Sequence, residues 1–462
     1  MKYEADLLVI GAGPAGMAAS RMAAEAGLSV ILLDEQRRAG GQIYRDVERA
    51  AHARGDILGS DYTKGLDLTK GLEHPGIQHV RGAVVWQIEN PLRVAFTVDD
   101  VVSLATGKRL LLATGALERP MPVRGWTLPG VMTAGAAQIL LKQSGIIPEN
   151  AVIAGSGPLV YLIAAQMCRA GIPPRALVET QSTWDLFSSF RHIFGALKGR
   201  HYLAKGLRLL AEIRRSGVPR YTGATDVAIE GSDRAEGISF LSGGRRHEIV
   251  SSTILLHHGV IPNTQAARSI DVPHRWNRQQ QAFVPVCDEW GRTLRKEVFI
   301  AGDGAGIGGA DAAAIAGKVA ALEIAVDIGA ISPDQRDGRA ARLKQTLGIE
   351  LAARPFIDRA YPPYAAALSP SDDTIICRCE EVTAGDVRHF ARLGCVGPNQ
   401  AKAFGRQGMG PCQGRYCGPT VTVLLAEANS QSEDETGYYR IRPPIKPVTL
   451  GALAAFSEQA TD

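Results

Sequence analysis

Four of the seven cysteines crowd into one stretch near the C-terminus: Cys377 and Cys379 as a C-x-C pair, Cys412 and Cys417 as a C-x4-C pair, with 32 residues between the pairs. In a chain with an odd cysteine count and no export signal, such grouping points to a metal centre or redox chemistry rather than a disulfide framework. Two chemistries take four thiolates, a zinc ion and a [2Fe-2S] cluster. Zinc knuckles favour C-x-x-C, and C-x-C with C-x4-C fits a diamond of two irons better. Gly408, Gly410 and Gly414 let the backbone bend round a cluster and donate N–H groups to sulfur. Cys395 lies outside both pairs and is read as a non-ligand. Cys168 and Cys287 stand alone and are read as core residues.

A second signal is Gly11-Ala-Gly13-Pro14-Ala15-Gly16, which follows the apolar run Leu7 to Ile10 and opens an alanine-rich helical run. The first glycine permits a tight turn, the second lets the backbone approach a pyrophosphate, and the third packs helix against strand. The helix N-terminus turns its positive end to the phosphates. Val30 to Leu33 then ends in Asp34-Glu35, and both acids fit the spacing for holding ribose hydroxyls. Gly41-Gln42 follows the acidic pair. Ala113-Thr114-Gly115 ends one later strand, Gly302-Asp303 ends another, and Val84 begins a third. The competing reading of Asp303 is a helix cap before Ala310.

The pattern returns as Ala151 to Ala154, Gly155-Ser156-Gly157-Pro158, a helical run to Ala170 and a strand ending in Glu179. Position 160, where a third glycine belongs, is Val160, which argues against a conventional NAD(P)H site although Glu179 is placed to hold a ribose. An adenine nucleotide retained for structure is a further reading of this unit. No C-x-x-C dithiol occurs in Thr133 to Gln138, so disulfide reduction is not expected. His257-His258 reads as a packing or surface pair at a strand end, and no residue constellation identifies an amine-oxidising base.

These signals require elements to carry them. The sequence predicts an α/β chain of two dinucleotide-binding, Rossmann-like domains plus a small helical cysteine domain. The boundaries read as 1–118 with 283–345 for the first domain, 119–282 for the second, 365–430 for the cysteine domain and 431–462 for a Pro-rich tail that wraps. Thr383-x-x-Asp386 predicts a capping box, and Ala310 to Ile328 a long apolar helix. With 462 residues, 45% hydrophobic and 21% charged, the chain can bury more than one core. A net charge of +4 with no basic block gives no reason to propose nucleic acid as a partner. The N-terminus lacks a signal peptide's apolar core, and the uncharged stretch 151–168 is broken by Gly155, Gly157 and Pro158, so a cytoplasmic protein without a transmembrane segment is expected.

The two glycine units with the Ala-Thr-Gly and Gly-Asp segments resemble the two-dinucleotide-domain flavoproteins, which implies FAD in the first unit with Asp303 at the ribityl or phosphate region. Cys377 to Cys417 resembles the bacterioferritin-associated ferredoxin type of [2Fe-2S] domain, although that family closes with C-x-x-C. With Gly125-Trp126-Thr127-Leu128-Pro129-Gly130-Val131, nearly the whole chain resembles the α subunits of bacterial amino-acid and amine dehydrogenases, the opine, proline, hydroxyproline and hydrogen cyanide synthase group. That resemblance implies an electron-transferring subunit whose FAD-containing β subunit, of the amino-acid oxidase type, oxidises the C–N bond; a further partner it implies is a small ferredoxin-like subunit. The alternatives are a self-contained NAD(P)H-dependent reductase and a partner-docking module.

Overall fold

The computed structural model describes residues 2–89 and 92–460. Strand Lys2–Ile10 lies inside the first sheet, with Leu7, Leu8 and Val9 fully buried. A parallel strand is covered on both faces, which is why this run is apolar without alternation. Across the sheet the order is Ile77–Arg81, Val30–Asp34, Lys2–Ile10, Val101–Leu112, Arg93–Val98 and Val84–Glu89. Val298–Ile300 joins it in parallel beside Val101–Leu112, so the chain returns to its first sheet after building a second.

Helices Pro14–Glu25 and Ala310–Asp327 pack on each other against this sheet through small residues. A side chain at Gly317 would run into the backbone of Ala15, and one at Gly302 into Ala15 and Ala313. The Ala310–Asp327 helix is apolar around its circumference, as befits one buried over most of its length.

The second sheet is parallel, in the order Arg220–Tyr221, Ala176–Glu179, Val152–Gly155, Ile254–His257 and Val131–Thr133. Its glycine turn opens helix Pro158–Arg169, in which Val160 is buried in a core with Ile153, Leu177 and Leu255. An antiparallel layer, Thr225–Glu230, Gly237–Ser242 and Arg245–Val250, follows. Two crossings join the units, and they pair with each other as the short antiparallel strands Ala116–Glu118 and Val260–Pro262.

At the C-terminal end, hairpin Ile375–Cys377 and Val382–Thr383 leads into helices Ala384–Arg392, Pro398–Gly405 and Gly418–Asn429. The Thr383 and Asp386 side chains form the capping box that their spacing predicts. The final segment runs back to the first sheet. Lys446 Nζ meets Glu35 at 2.7 Å, Ile445 N–H donates to Trp86 O at 2.8 Å, and Ala452 packs against Trp86. Among the described residues no helix is long and apolar enough to cross a membrane.

Candidate functional site

One cavity of about 1860 Å³ lies where the two sheets, the cysteine region and helices 183–210 meet. Its wall contains Gly11, Gly13, Pro14, Ala15, Asp34, Glu35, Gly41, Gln42, Ala113, Thr114, Gly115 and Asp303 from the first unit, and all four clustered cysteines. Three singled-out residues stand off it. Gly16 is behind the wall, where any side chain would strike Gly11 O, so it serves the close packing of helix on strand. Gly302 is the helix contact noted above. Val84 gives way to Ala83 and Val85, because neighbours along a strand face opposite sides.

The first glycine turn is shaped for an anion. Gly11 holds φ +104°, a conformation that disfavours side chains, and Gly13 begins helix Pro14–Glu25 with no side chain capping its N–H groups and no acid in the first turn. Asp34 braces the turn from behind: its carboxylate accepts from Ala12 N–H at 3.1 Å and Gln36 N–H at 2.9 Å, and burial raises its pKa to about 6. Glu35 faces Lys446, which together with Arg45 and Arg415 outweighs burial and lowers its pKa. Thr114 Oγ1 donates to Asn263 O at 2.9 Å, tying the Ala-Thr-Gly segment to the second crossing. Asp303 accepts from Gly308 and Gly309 N–H, both at 2.9 Å, so it does fix the turn before the Ala310–Asp327 helix while still lining the cavity.

The cysteines contact one another in two pairs. The Cys417 thiol donates to Cys377, which also receives backbone N–H bonds from Gly408, Glu380 and Cys379; together these hold Cys377 down to about 6. Cys379 sits against Cys412, receiving its backbone N–H, and burial leads the causes that raise its pKa. Cys377 and Cys417 are buried, whereas Cys412 is half-buried and Cys379 exposed. A side chain at Gly410 would strike Cys379, and one at Gly408 or Gly414 would strike the ring of Tyr439, whose hydroxyl lies 3.9 Å from Cys417 Sγ. Among the described residues no three Cys, His, Asp or Glu groups converge as they would round one ion. Four thiols in two contacting pairs are the donor set of a two-iron centre, two thiolates per iron, and equally of a tetrahedral zinc ion. Cys395 is buried in the core that also holds Cys377 and Cys417, and it does not line the cavity.

The second glycine turn also lines the cavity, at Gly157 and Pro158, but its acid is spoken for. Glu179 is 2% exposed, and its oxygens take bonds from Arg220 at 2.6 and 3.0 Å, Tyr161 at 2.9 Å and Gln181 at 2.8 Å. A nucleotide there would find no free carboxylate for its ribose. His257 also presses on the turn, since a Cβ at Gly157 would lie 3.1 Å from its Nε2.

Two contacts in the wall escaped the sequence reading. His257 is buried, the packing alternative read from the sequence, but its partner was not foreseen: its Nδ1 lies 2.7 Å from Glu118, which in turn accepts from Gly135 N–H. The partners are 139 residues apart, and no local pattern joins them. Lys142 is 2% exposed, with Nζ 3.1 Å from Gln42 O and 2.9 Å from Gln138 Oε1, and burial, then Arg45, pushes its pKa down to about 7. In sequence it is an ordinary charge near a helix end.

The pyridine nucleotide-disulphide oxidoreductase family model matches residues 5–326, and the sarcosine oxidase A3 domain model matches 372–457. The chain is 42% identical to the A subunit of opine oxidase from Rhizobium meliloti, over 98% of this chain and 88% of that one. It is 30% identical to the HcnB subunit of hydrogen cyanide synthase from Pseudomonas aeruginosa, over 98% and 99%. The crystal structure of L-proline dehydrogenase from P. horikoshii superposes with a TM-score of 0.70 at 19% identity, covering 98% of this chain and 80% of that one.

Proposed function

Because this chain belongs to the family of opine oxidase A subunits and related α subunits of bacterial FAD-dependent amine and amino-acid dehydrogenases, we propose that it is the electron-carrying subunit of such an enzyme, with FAD in its first unit, a [2Fe-2S] cluster on Cys377, Cys379, Cys412 and Cys417, and substrate oxidation on a partner subunit. The single observation that carries this reading is that the glycine turn and the four cysteines face one cavity.

When bound, FAD supplies two-electron hydride chemistry and an iron-sulfur cluster one-electron chemistry. The chain's own residues supply the rest. The open N–H groups after Gly13 bind the diphosphate, and the Asp34-Glu35 pair in the cavity wall supplies the acid for the ribose. Gly41, Ala113 and Gly115 let backbone close on the cofactor. Cys377 and Cys417 are buried, Cys379 is exposed, and the set of all four thiols belongs to the cavity wall. Tyr438 and Tyr439 cover its inner side and keep water out.

The amine belongs to another chain on this reading, a FAD-containing subunit of the amino-acid oxidase type, with a small ferredoxin-like chain as a further member. Opine, proline-like or other secondary amines mixed anaerobically should bleach flavin only when the partner subunit is present. An isolated chain that turns over an amine at the rate of the complex overturns the assignment.

The rival, a self-contained NAD(P)H reductase, is disfavoured by the occupied Glu179, by Val160 and by the His257 ring at the second turn. NADH or NADPH mixed with the oxidised chain should therefore leave the flavin absorbance unchanged over minutes. Stoichiometric bleaching within seconds would restore the rival.

A further inference from the structure

An apolar stripe on the segment 183–207 has no cover in the chain. Trp184, Phe187, Phe190, Phe194 and Leu197 follow one another at spacings of three and four residues, and each is between 54% and 80% exposed. Such spacing normally marks the buried face of an amphipathic helix. Here the opposite face is the buried one. Ala196 is sealed against Phe356 and Ala360, Asp185 pairs with Arg359, and a side chain at Gly195 would strike Ala352 O, so Trp184, Phe187, Phe194 and Leu197 are held outward while Phe190 meets the edge of Phe356 at 6.0 Å between ring centroids.

The stripe has a charged rim. Between residues 183 and 215 there are seven Lys or Arg and two Asp or Glu, a net +5 against +4 for the whole chain. Both acids are committed inside the chain, Asp185 to Arg359 and Glu212 to Arg169, as is one of the bases, Lys205, to Asp61 at 2.7 Å. Lys198 and Arg200, exposed beside Leu197, make no ion pair among the described residues. The stripe also borders the cofactor cavity, since Leu186, Phe190 and Ile193 line it. Whatever covers the stripe therefore stands at the edge of the space that holds the flavin turn and the cysteines.

We propose that the Trp184–Leu197 stripe is the docking face for the substrate-oxidising partner subunit, which meets it with an apolar groove rimmed by Asp and Glu. The inference rests on the proposed division of labour between chains and adds where the partner sits. The stripe runs along two short helices, Thr183–Ser189 and Ile193–Lys198, joined by the 3-10 turn Phe190–His192. Helical anchors at these spacings fill a hydrophobic groove, and aromatic anchors with Arg dominate interface energies. An acidic bilayer would also attract aromatics with a basic rim. The position at the cavity edge favours the partner, whose electrons must reach this cavity, over hydrocarbon that would seal it.

The test uses the complex of this chain with the subunit that confers amine-dependent flavin bleaching. Phe187→Glu with Phe194→Glu should weaken the complex about 100-fold by analytical ultracentrifugation, with FAD and iron content and circular dichroism of the chain unchanged. Lys198→Glu with Arg200→Glu should weaken it about 10-fold at low salt, an effect that fades at high salt. In the wild-type complex, hydrogen exchange should slow across 184–197. Wild-type affinity in the Phe187/Phe194 variant, or exchange protection confined to other surfaces, overturns the docking site and leaves the division of labour standing. No wild-type complex at all defeats both. Vesicles of phosphatidylglycerol and phosphatidylcholine that bind the wild type and not the variant, while the complex survives, would assign the stripe to a membrane and also overturn the proposal.

Discussion

Replacing Cys412 by serine is expected to strip at least about 10-fold of the iron and acid-labile sulfide from this chain and to remove its low-temperature electron-spin resonance signal after reduction by dithionite. FAD should stay bound. Cys412 is the suitable member of the four, because it is only half-buried and makes its thiol contact with Cys379 on the outer side, so serine there leaves the packing of Cys377 and Cys417 intact. Cys395→Ser, in the core but off the cavity wall, should keep a full complement of iron. One zinc per chain without sulfide, lost in the Cys412 variant, would show that the thiolates serve structure and not electron transfer.

The glycine turn allows an equally large effect on the other cofactor. Valine at Gly13 should release FAD, with affinity falling at least about 100-fold, or roughly 2.7 kcal/mol, while the protein keeps its circular dichroism and its iron. The choice of position matters. A Cβ at Gly13 would have Gly41 Cα at 3.8 Å as its near neighbour, an ordinary contact, so the chain tolerates it and the side chain points where the diphosphate belongs. At Gly16 the same change would collide with the backbone of Gly11 and damage the fold, so flavin loss there would say nothing of the site. Flavin content is read from absorbance and from fluorescence of the released cofactor. Full FAD retention in the Gly13 variant would place the flavin elsewhere.

Much of this was legible because the relevant chemistry is local. A glycine turn needs its three glycines within six residues, and a C-x-C pair carries its own spacing, so both survive reading one residue at a time. The capping box at Thr383 and Asp386 is local in the same sense. What escaped is long-range. Glu118 and His257 meet across 139 residues because the two crossings between units run side by side. Arg220 reaches Glu179 across 41 residues on the neighbouring strand and disarms an acid that its own position recommends. Lys142 misleads for another reason: a charge beside apolar neighbours reads as solvent-facing, and only the packing of its helix against Gln42 buries it. The stripe from Trp184 to Leu197 inverts the usual rule, since its spacing predicts a buried face and the chain presents that face to solvent. Exposed apolar patches of this kind mark sites of interaction rather than of folding.

The central claim is that one chain holds a two-electron and a one-electron carrier in a common cavity. Anaerobic titration of the purified chain with dithionite, followed by flavin absorbance and electron-spin resonance together, counts its capacity directly. Three electrons per chain are expected, two reporting on flavin and one on the cluster, falling to two in Cys412→Ser and to one in Gly13→Val. Two electrons in the wild type, all reporting on flavin, would contradict it.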